Sequence, residues 1–239
     1  MADPFRDNTF TASASRLDRL TRVLLSHVPS AAEVRVLDLG CGTGGQLFGL
    51  LSQYPNASFV GVDISKNNIA AAMDDPRYSE FQPRVSFRAA DFFDVDMGLY
   101  DVIVADSVLQ NIDIQDDVVA AKLSRSLRPG GLMLMTLPCD SFYNRSLWRA
   151  RRIARCMRTP LLDRVLLWGG RIMHPDWDVE MIRERVPYMY LLPVRIDEPG
   201  FRVVLTERMA LVRIVDLKLP RESLAQPSHI LSVYRRLGG

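Results

Sequence analysis

The chain has 239 residues, of which 48% are hydrophobic and 24% are charged, so it can bury a core without the help of disulfides. Its formal net charge of +2 argues against a uniformly basic surface made for nucleic acid. The 3 cysteines have no CxxC spacing, which disfavours a zinc site and favours a reducing, cytoplasmic location. We expect no secretory signal, and no run approaches the roughly 18 apolar residues of a membrane span.

Short β-rich runs alternate with helical periodicity over the first part of the chain, at residues 34–39, 58–63, 85–88, 101–105 and 132–137. A helical pattern precedes the first run, and after the fifth run the alternation stops. Residues 139–199 are predicted to form two or three helices. This segment is too long to be an ordinary connection between two strands. β-like sequence at 201–215 and 230–234 is expected to close the sheet with a hairpin-connected pair.

This alternation predicts an α/β fold, with a parallel sheet covered by helices on both sides. We expect a single domain over residues 1–239. Within it, residues 1–33 are predicted to form an N-terminal helical cap, and residues 139–199 a helical substrate lid inserted after strand five.

The first β-rich run ends in a turn that contains Gly40, Gly42 and Gly44. Ligands bind at this edge of an open α/β sheet, and glycine lets a ligand press against the backbone. With Gly45, the turn also satisfies the dinucleotide pattern GxGxxG, which leaves an NAD(P)-dependent oxidoreductase as an alternative. Asp38 precedes the turn and would oppose a pyrophosphate, whereas it would attract a cationic or ammonium-bearing ligand.

Two further acidic residues follow the next two β-rich runs. Asp63 closes the second run, where its carboxylate could accept hydrogen bonds from both hydroxyls of a ribose. Asp91 follows the third run, where it could reach the exocyclic amine of an adenine while an apolar neighbour covers the ring. Each acid alone is commonly a helix cap or a solvated loop residue. Their occurrence at successive strand ends favours a nucleoside-bearing ligand.

Together these segments resemble the class I S-adenosylmethionine-dependent methyltransferases of the small-molecule type. The resemblance covers the segments DLGCGTG, GVDIS, AADFF and YDVIVADSVLQNI and the RPGG turn, between residues 36 and 137. It implies a Rossmann-like, doubly wound sheet in the order 3-2-1-4-5-7-6 with one antiparallel strand, and S-adenosyl-L-methionine as the cofactor. The cofactor-binding residues are then expected to be Asp38, Gly40, Gly42, Gly44, Asp63, Ile64, Asp91, Phe92 and Asp106.

The segment after the fourth β-rich run is expected to face the acceptor. Many small-molecule relatives carry histidine near the positions of Gln110 and Asn111, so a histidine base from this loop is not expected. Gln110 could orient a substrate but cannot act as a base near neutral pH. The segment also lacks the Asn/Asp-Pro-Pro-aromatic signature of nucleic-acid amino-methylation. Cys139 is similar in position to the nucleophile of RNA cytosine methyltransferases, but a lone cysteine is usually an inert small hydrophobe.

His174, in the predicted lid, is the remaining candidate for a catalytic base, with capping of the next helix as the alternative. His27 and His229 are expected to be structural. The region 139–190 is rich in aromatic residues, Tyr143 among them, which suits a pocket for an apolar or aromatic substrate. Packing of the lid helices on the sheet is the alternative explanation.

Residues 144–158 are predicted to form one helix with arginines on one face and, on the other, Leu147, Ala150, Ile153, Ala154 and Met157. A basic face can be solvated, or can serve an anionic substrate, a membrane or a nucleic acid. We expect Arg145 and Arg149 to contact an anionic substrate. Neither nucleic acid nor a membrane is the expected partner, although this basic amphipathic helix keeps a membrane surface as an alternative.

The sequence therefore predicts methyl transfer to a small-molecule acceptor, anionic or aromatic, of secondary metabolism. The transfer is an in-line displacement, for which the enzyme holds the nucleophile close to the methyl group with water excluded. No metal is expected. An NAD(P)-dependent oxidoreductase, an RNA methyltransferase and a non-catalytic cofactor-binding subunit are the alternatives. The acceptor atom and the oligomeric state are left open.

Overall fold

A computed structural model describes residues 14–175, 178–217 and 227–238. Its strands are β1 (Arg35–Leu39), β2 (Ser58–Asp63), β3 (Val85–Ala89), β4 (Tyr100–Asp106), β5 (Leu127–Pro138), β6 (Met209–Leu217) and β7 (His229–Arg236). They form a 7-stranded sheet in the order β3-β2-β1-β4-β5-β7-β6. Strands β1 to β5 are parallel, and β7 pairs antiparallel with β5 and β6. The predicted fold class and strand order are confirmed.

Helices cover both faces of this sheet: α1 (Ala14–Leu25), α2 (Gly45–Gln53), α3 (Lys66–Asp74), α4 (Pro76–Phe81), α5 (Asp116–Ser126), α6 (Phe142–Cys156), α7 (Pro160–Met173), α8 (Val179–Arg185) and α9 (Pro199–Thr206). Short 3₁₀ turns lie at Leu109–Asn111 and Val186–Tyr190. Alternate strand residues face opposite cores, with Val36 packed in one hydrophobic cluster and Leu37 in the other. Among the described helices, none has both the length and the apolarity needed to cross a bilayer.

The segment predicted as β-like at 201–215 is divided in the structure, and the prediction is wrong for its first part. Helix α9 occupies Pro199–Thr206, and strand β6 begins only at Met209. Pro199 stands in the first turn, where its missing N–H costs nothing. Phe201 and Leu205 are one helical turn apart and both are 0% exposed, so their burial in the core stabilises the helix.

Helices α6, α7 and α8 lie between β5 and α9, within the segment that we predict to be a substrate lid. The Asn144 side chain ties the first turn of α6 to the strands, since its Nδ2 donates to the carbonyls of Cys139 (2.7 Å) and Ser228 (2.8 Å) and its Oδ1 accepts from Ser228 N at 2.9 Å. The lid role of 139–199 and the cap role of 1–33 remain proposals. Of the proposed cap, residues 1–13 lie outside the described residues.

The apolar face predicted for 144–158 is only partly covered in the structure. Leu147 and Ala154 are half-buried, whereas Ile153 and Met157 are 60% and 65% exposed. The side that packs on the protein contains the buried Asn144 and the half-buried Trp148 and Arg151. Polar anchoring by Asn144 determines which side of the helix is covered, and this anchoring depends on strands far away in sequence.

Candidate functional site

The glycine turn between β1 and α2 adopts a backbone that other residues rarely take. Gly40, Gly42 and Gly44 have φ values of 69°, 54° and 80°. A Cβ built on Gly40 would lie 2.0 Å from Val108 Cγ2, so the turn passes directly beneath the loop that follows β4. The N–H of Gly42 donates to Asp63 Oδ2 at 2.9 Å, which ties the turn to the end of β2.

Carboxylates surround this turn. Asp38 is 3% exposed, and its Oδ2 has no hydrogen-bond partner among the described residues. Burial raises the pKa of Asp38 well above its usual range, and the nearby charges of Asp106 and Asp63 raise it further. A buried, unpartnered carboxylate with two acidic neighbours is a favourable environment for a cation.

The predicted ribose and adenine residues lie at the carboxyl ends of β2 and β3. Asp63 Oδ1 accepts from the backbone N–H of Ser65 at 2.8 Å, which fixes the orientation of the carboxylate. Ile64, which follows it, is half-buried. Asp91 is half-buried as well, whereas the Phe92 ring is only 2% exposed and packs in the core. Contacts of these residues with a ribose and an adenine remain predictions.

A second polar cluster begins where β4 ends. Thr136 Oγ1 of β5 donates to Asp106 Oδ1 at 2.5 Å and accepts from the backbone N–H of Ser107 at 2.8 Å. Ser107 has a φ of 58°, the only positive φ at a non-glycine position in the described ranges. Strained backbone of this kind concentrates at functional sites, because the surrounding structure must maintain it.

His229 completes this cluster from β7. Its Nδ1 lies 2.9 Å from the carbonyl oxygen of Pro227, which can only accept, so Nδ1 carries a proton. Its Nε2 lies 3.2 Å from Ser107 Oγ and 3.1 Å from Gln110 Oε1. From the sequence, His229 is expected to be structural, and Ser107 is not among the predicted site residues. The sequence does contain a signal for the position of His229. An antiparallel last strand begins at the edge where the parallel strands end, so its first residue lies beside the site.

The loop that carries Gln110 is held by a buried arginine that sequence reasoning also missed. Arg195 is 6% exposed, and its guanidinium donates to Asp116 and to the backbone carbonyls of Leu109, Ile112 and Ile114. The guanidinium thus satisfies several buried carbonyls at once. It fixes the loop at the mouth of the polar cluster.

The predicted substrate-binding residues of the lid segment differ in their exposure and partners, and their contact with a substrate remains a prediction. Tyr143 is half-buried in the first turn of α6. Arg145 is exposed and forms an ion pair with Asp140, so an anionic substrate would have to displace that carboxylate. Arg149 is exposed on the outer side of α6. His174 follows the last turn of α7 and its backbone N–H donates to a carbonyl of that helix.

The arginine of α6 that faces the protein is Arg151. Its Nη1 donates to the carbonyl oxygen of Leu191 at 3.1 Å. Burial lowers the pKa of Arg151, and the neighbouring Tyr143 partly offsets this effect. A guanidinium that has lost water in this way is stabilised by an anionic ligand.

A family model described as a methyltransferase domain matches residues 30–171 of the chain. The chain belongs to this family. This is the family of class I, S-adenosylmethionine-dependent methyltransferases that the resemblance implied. S-adenosylmethionine carries a sulfonium and an ammonium, and the unpartnered carboxylate of Asp38 beside the glycine turn fits such a group. No group of three or more potential metal ligands occurs in the described part of the methyltransferase.

Curated relatives match about half of the chain. The trans-aconitate 2-methyltransferase of Methylobacterium nodulans is 35% identical over 132 residues, which are 55% of this chain and 48% of the relative. The malonyl-[acyl-carrier protein] O-methyltransferase of Halalkalibacterium halodurans is 35% identical over 114 residues, which are 45% of this chain and 41% of the relative. The matched stretch spans about half the length of these relatives.

Solved methyltransferase structures resemble most of the chain in fold. The N-methyltransferase NodS of Bradyrhizobium japonicum, in complex with S-adenosyl-L-homocysteine, is 18% identical with a TM-score of 0.58, over 92% of this chain and 85% of that one. A putative sarcosine dimethylglycine methyltransferase of Galdieria sulphuraria is 13% identical with a TM-score of 0.61, over 93% and 86%. At these identities the likeness concerns the fold alone.

Proposed function

We propose that this methyltransferase transfers a methyl group from S-adenosylmethionine to a small anionic acceptor. The observation that carries the proposal is the buried, unpartnered carboxylate of Asp38, which lies beside a glycine turn and close to Asp106. A pyrophosphate would be repelled at this position, which disfavours the nicotinamide alternative. The bound cofactor supplies an electrophilic methyl group.

The residues of the chain would bind the cofactor, orient the acceptor and exclude water. Gly40, Gly42 and Gly44 let the backbone approach the cofactor closely, and Asp63 would hold its ribose. Asp38 would neutralise its positive charge. Holding the two reactants in line contributes most of the acceleration that such a displacement needs, because no covalent intermediate is required.

The cluster of Ser107, Gln110 and His229 is proposed to hold the acceptor group. Ser107 and Gln110 are half-buried, whereas His229 is 4% exposed and lies behind them. His229 therefore acts through its neighbours and is a positioning residue. In the neutral ring, Nε2 accepts from the Ser107 hydroxyl; in the charged ring, it donates to Gln110 Oε1. The cluster can thus take up the proton that a hydroxyl or amine acceptor loses.

An anionic acceptor is favoured by Arg151 and by the names of the relatives. Arg151 is the α6 arginine that faces the protein, and burial penalises its charge. Trans-aconitate and a malonyl group both carry carboxylates. We propose that Arg151 replaces Arg145 and Arg149 as the residue that contacts the acceptor's anionic group, and that residues 139–199 cover it.

A rate assay of S-adenosylhomocysteine formation tests this proposal. The full chain is presented with a panel of small carboxylic acids, aromatic hydroxy acids and their uncharged amides. We expect turnover with an acid and none with its amide. Arg151→Gln should raise the KM for that acid about tenfold or more, as expected for loss of a charge-assisted hydrogen bond, with cofactor affinity unchanged.

Arg149→Gln is the matched control, because it removes an exposed arginine from the same helix and should leave the KM unchanged. Equal turnover of acids and amides, or an equal effect of the two variants, would contradict an anionic acceptor at Arg151.

A further inference from the structure

Helix α7 exposes a continuous apolar stripe. Leu161, Val165, Trp168 and Ile172 recur at the spacing of one helix face and are 70%, 52%, 67% and 60% exposed. The opposite face already packs on the protein through Gly170, where an added Cβ would lie 2.6 Å from Ile182 Cγ2. The exposed stripe is therefore additional to the face that the fold uses.

Helix α6 and its C-cap residue expose three more large apolar side chains. Phe142 begins the helix, Ile153 lies near its end and Met157 follows it, and they are 84%, 60% and 65% exposed. We name these three residues, with the four of α7, the exposed apolar stripes. Single apolar residues on a surface need no explanation, but a continuous row of large ones such as that of α7 marks a surface that contacts something apolar.

Arginines flank the exposed apolar stripes. Residues 139–173 contain 8 arginines against 2 aspartates. Both aspartates already have arginine partners, Arg145 and Arg158. The remaining flanking arginines form no ion pair with any carboxylate in the described ranges; they are Arg149, Arg152, Arg164 and Arg171. The surface therefore combines exposed apolar side chains with unbalanced positive charge.

We propose that the exposed apolar stripes and their flanking arginines bind the surface of an anionic phospholipid bilayer. Amphipathic helices with arginine on the polar side and Trp, Phe and Leu on the other lie in the headgroup region with the apolar side inserted. A nucleic acid would satisfy the arginines but leave the apolar side chains uncovered. A second copy would bring two positive surfaces together.

From the sequence, a membrane is not the expected partner, although the basic helix at 144–158 keeps it as an alternative. The exposure of Ile153 and Met157, together with the apolar stripe of α7, favours that alternative. The proposal does not depend on methyl transfer. It holds or fails whatever the acceptor is.

Cosedimentation of the full chain with vesicles tests the proposal. We expect binding to an equal mixture of phosphatidylglycerol and phosphatidylcholine, at least tenfold weaker binding to phosphatidylcholine alone, and a marked loss in high salt. Trp168→Gln combined with Ile172→Gln should weaken binding about tenfold or more. Val203→Gln, which changes a 60% exposed residue of α9, is the matched control and should bind normally.

Arg164→Gln combined with Arg171→Gln should also weaken binding about tenfold or more, since each arginine near an anionic surface contributes on the order of a fivefold factor. Arg213→Gln, an exposed arginine of β6, is the control. Brominated phosphatidylglycerol should quench tryptophan fluorescence in the wild type and quench it much less in Trp168→Phe.

Several outcomes would overturn the proposal. One is the absence of binding to anionic vesicles. A second is binding that the Trp168→Gln double variant retains in full. A third is a wild-type chain that sediments as a dimer and does not bind vesicles, with a double variant that sediments as a monomer. A fourth is salt-dependent binding to RNA in the absence of vesicle binding. Circular dichroism and S-adenosylhomocysteine binding establish that each variant is folded.

Discussion

Replacing Asp38 with asparagine should stabilise the unliganded protein and weaken cofactor binding. Asp38 is 3% exposed and has an unpartnered oxygen, and its pKa is raised first by burial and then by Asp106 and Asp63. Between the ordinary carboxyl pKa and the raised one, the folded state binds more protons than the unfolded state. The free energy of unfolding therefore falls as pH rises through this window, by up to about 1.4 kcal/mol per pH unit.

Asparagine has no charge to bury. The free energy of unfolding of Asp38→Asn should therefore exceed that of the wild type by an amount that grows with pH across that window. In a protein of this size, each kcal/mol corresponds to roughly 2–4 °C in Tm. The assay is thermal denaturation of both proteins without ligand, from about pH 5 to about pH 8. Calorimetry should show that the variant binds S-adenosylhomocysteine about tenfold or more weakly, because the cofactor's cation loses its carboxylate partner.

Asp140→Asn is the control, because Asp140 is an exposed carboxylate paired with Arg145 and its pKa is lowered by that partner. This variant should show no stability gain that grows with pH, and its affinity for S-adenosylhomocysteine should be that of the wild type. The reasoning is refuted if the Tm difference between Asp38→Asn and the wild type stays constant or shrinks as pH rises. Undiminished cofactor affinity in Asp38→Asn would also refute it.

Three further predictions concern the polar cluster, the glycine turn and the loop clamp. His229→Asn should lower kcat about a hundredfold with KM for the cofactor unchanged, because Ser107 and Gln110 lose the ring that positions them; an unaltered kcat would show that this cluster does not take part in the transfer. Gly40→Ala should abolish S-adenosylhomocysteine binding, because the new methyl would lie 2.0 Å from Val108 Cγ2, whereas Gly49→Ala, with open space around it, should bind normally. Arg195→Met should lower the free energy of unfolding by about 3 kcal/mol in denaturant titrations, since it leaves buried carbonyls without donors; a change within error would show that water replaces the guanidinium.

The glycine turn and the acids at strand ends could be predicted from sequence because the signals are local. A strand, its turn and the following helix are contiguous, so Asp38 and Gly40 necessarily lie at one edge of the sheet. Neighbouring parallel strands then bring Asp63 to the same edge. No contact distant in sequence has to be known.

The polar cluster could not be predicted from local signals, because it depends on where the antiparallel last strand enters the sheet. Ser107 and His229 are 122 residues apart, and only the pairing of β7 with β5 brings them together. Helix α9 was missed because the local pattern of Val203 and Val204 resembles a strand, while burial of Phe201 decides in favour of a helix. Tertiary packing overrides local propensity in both cases.

Titration calorimetry of the wild-type chain with S-adenosylhomocysteine and with NADH tests the central claim most directly. We expect one S-adenosylhomocysteine site per chain, weakened by Asp38→Asn, and no heat of binding with NADH. Binding of NADH without binding of S-adenosylhomocysteine would contradict the assignment of the glycine turn and its carboxylates to a methyl-donor site.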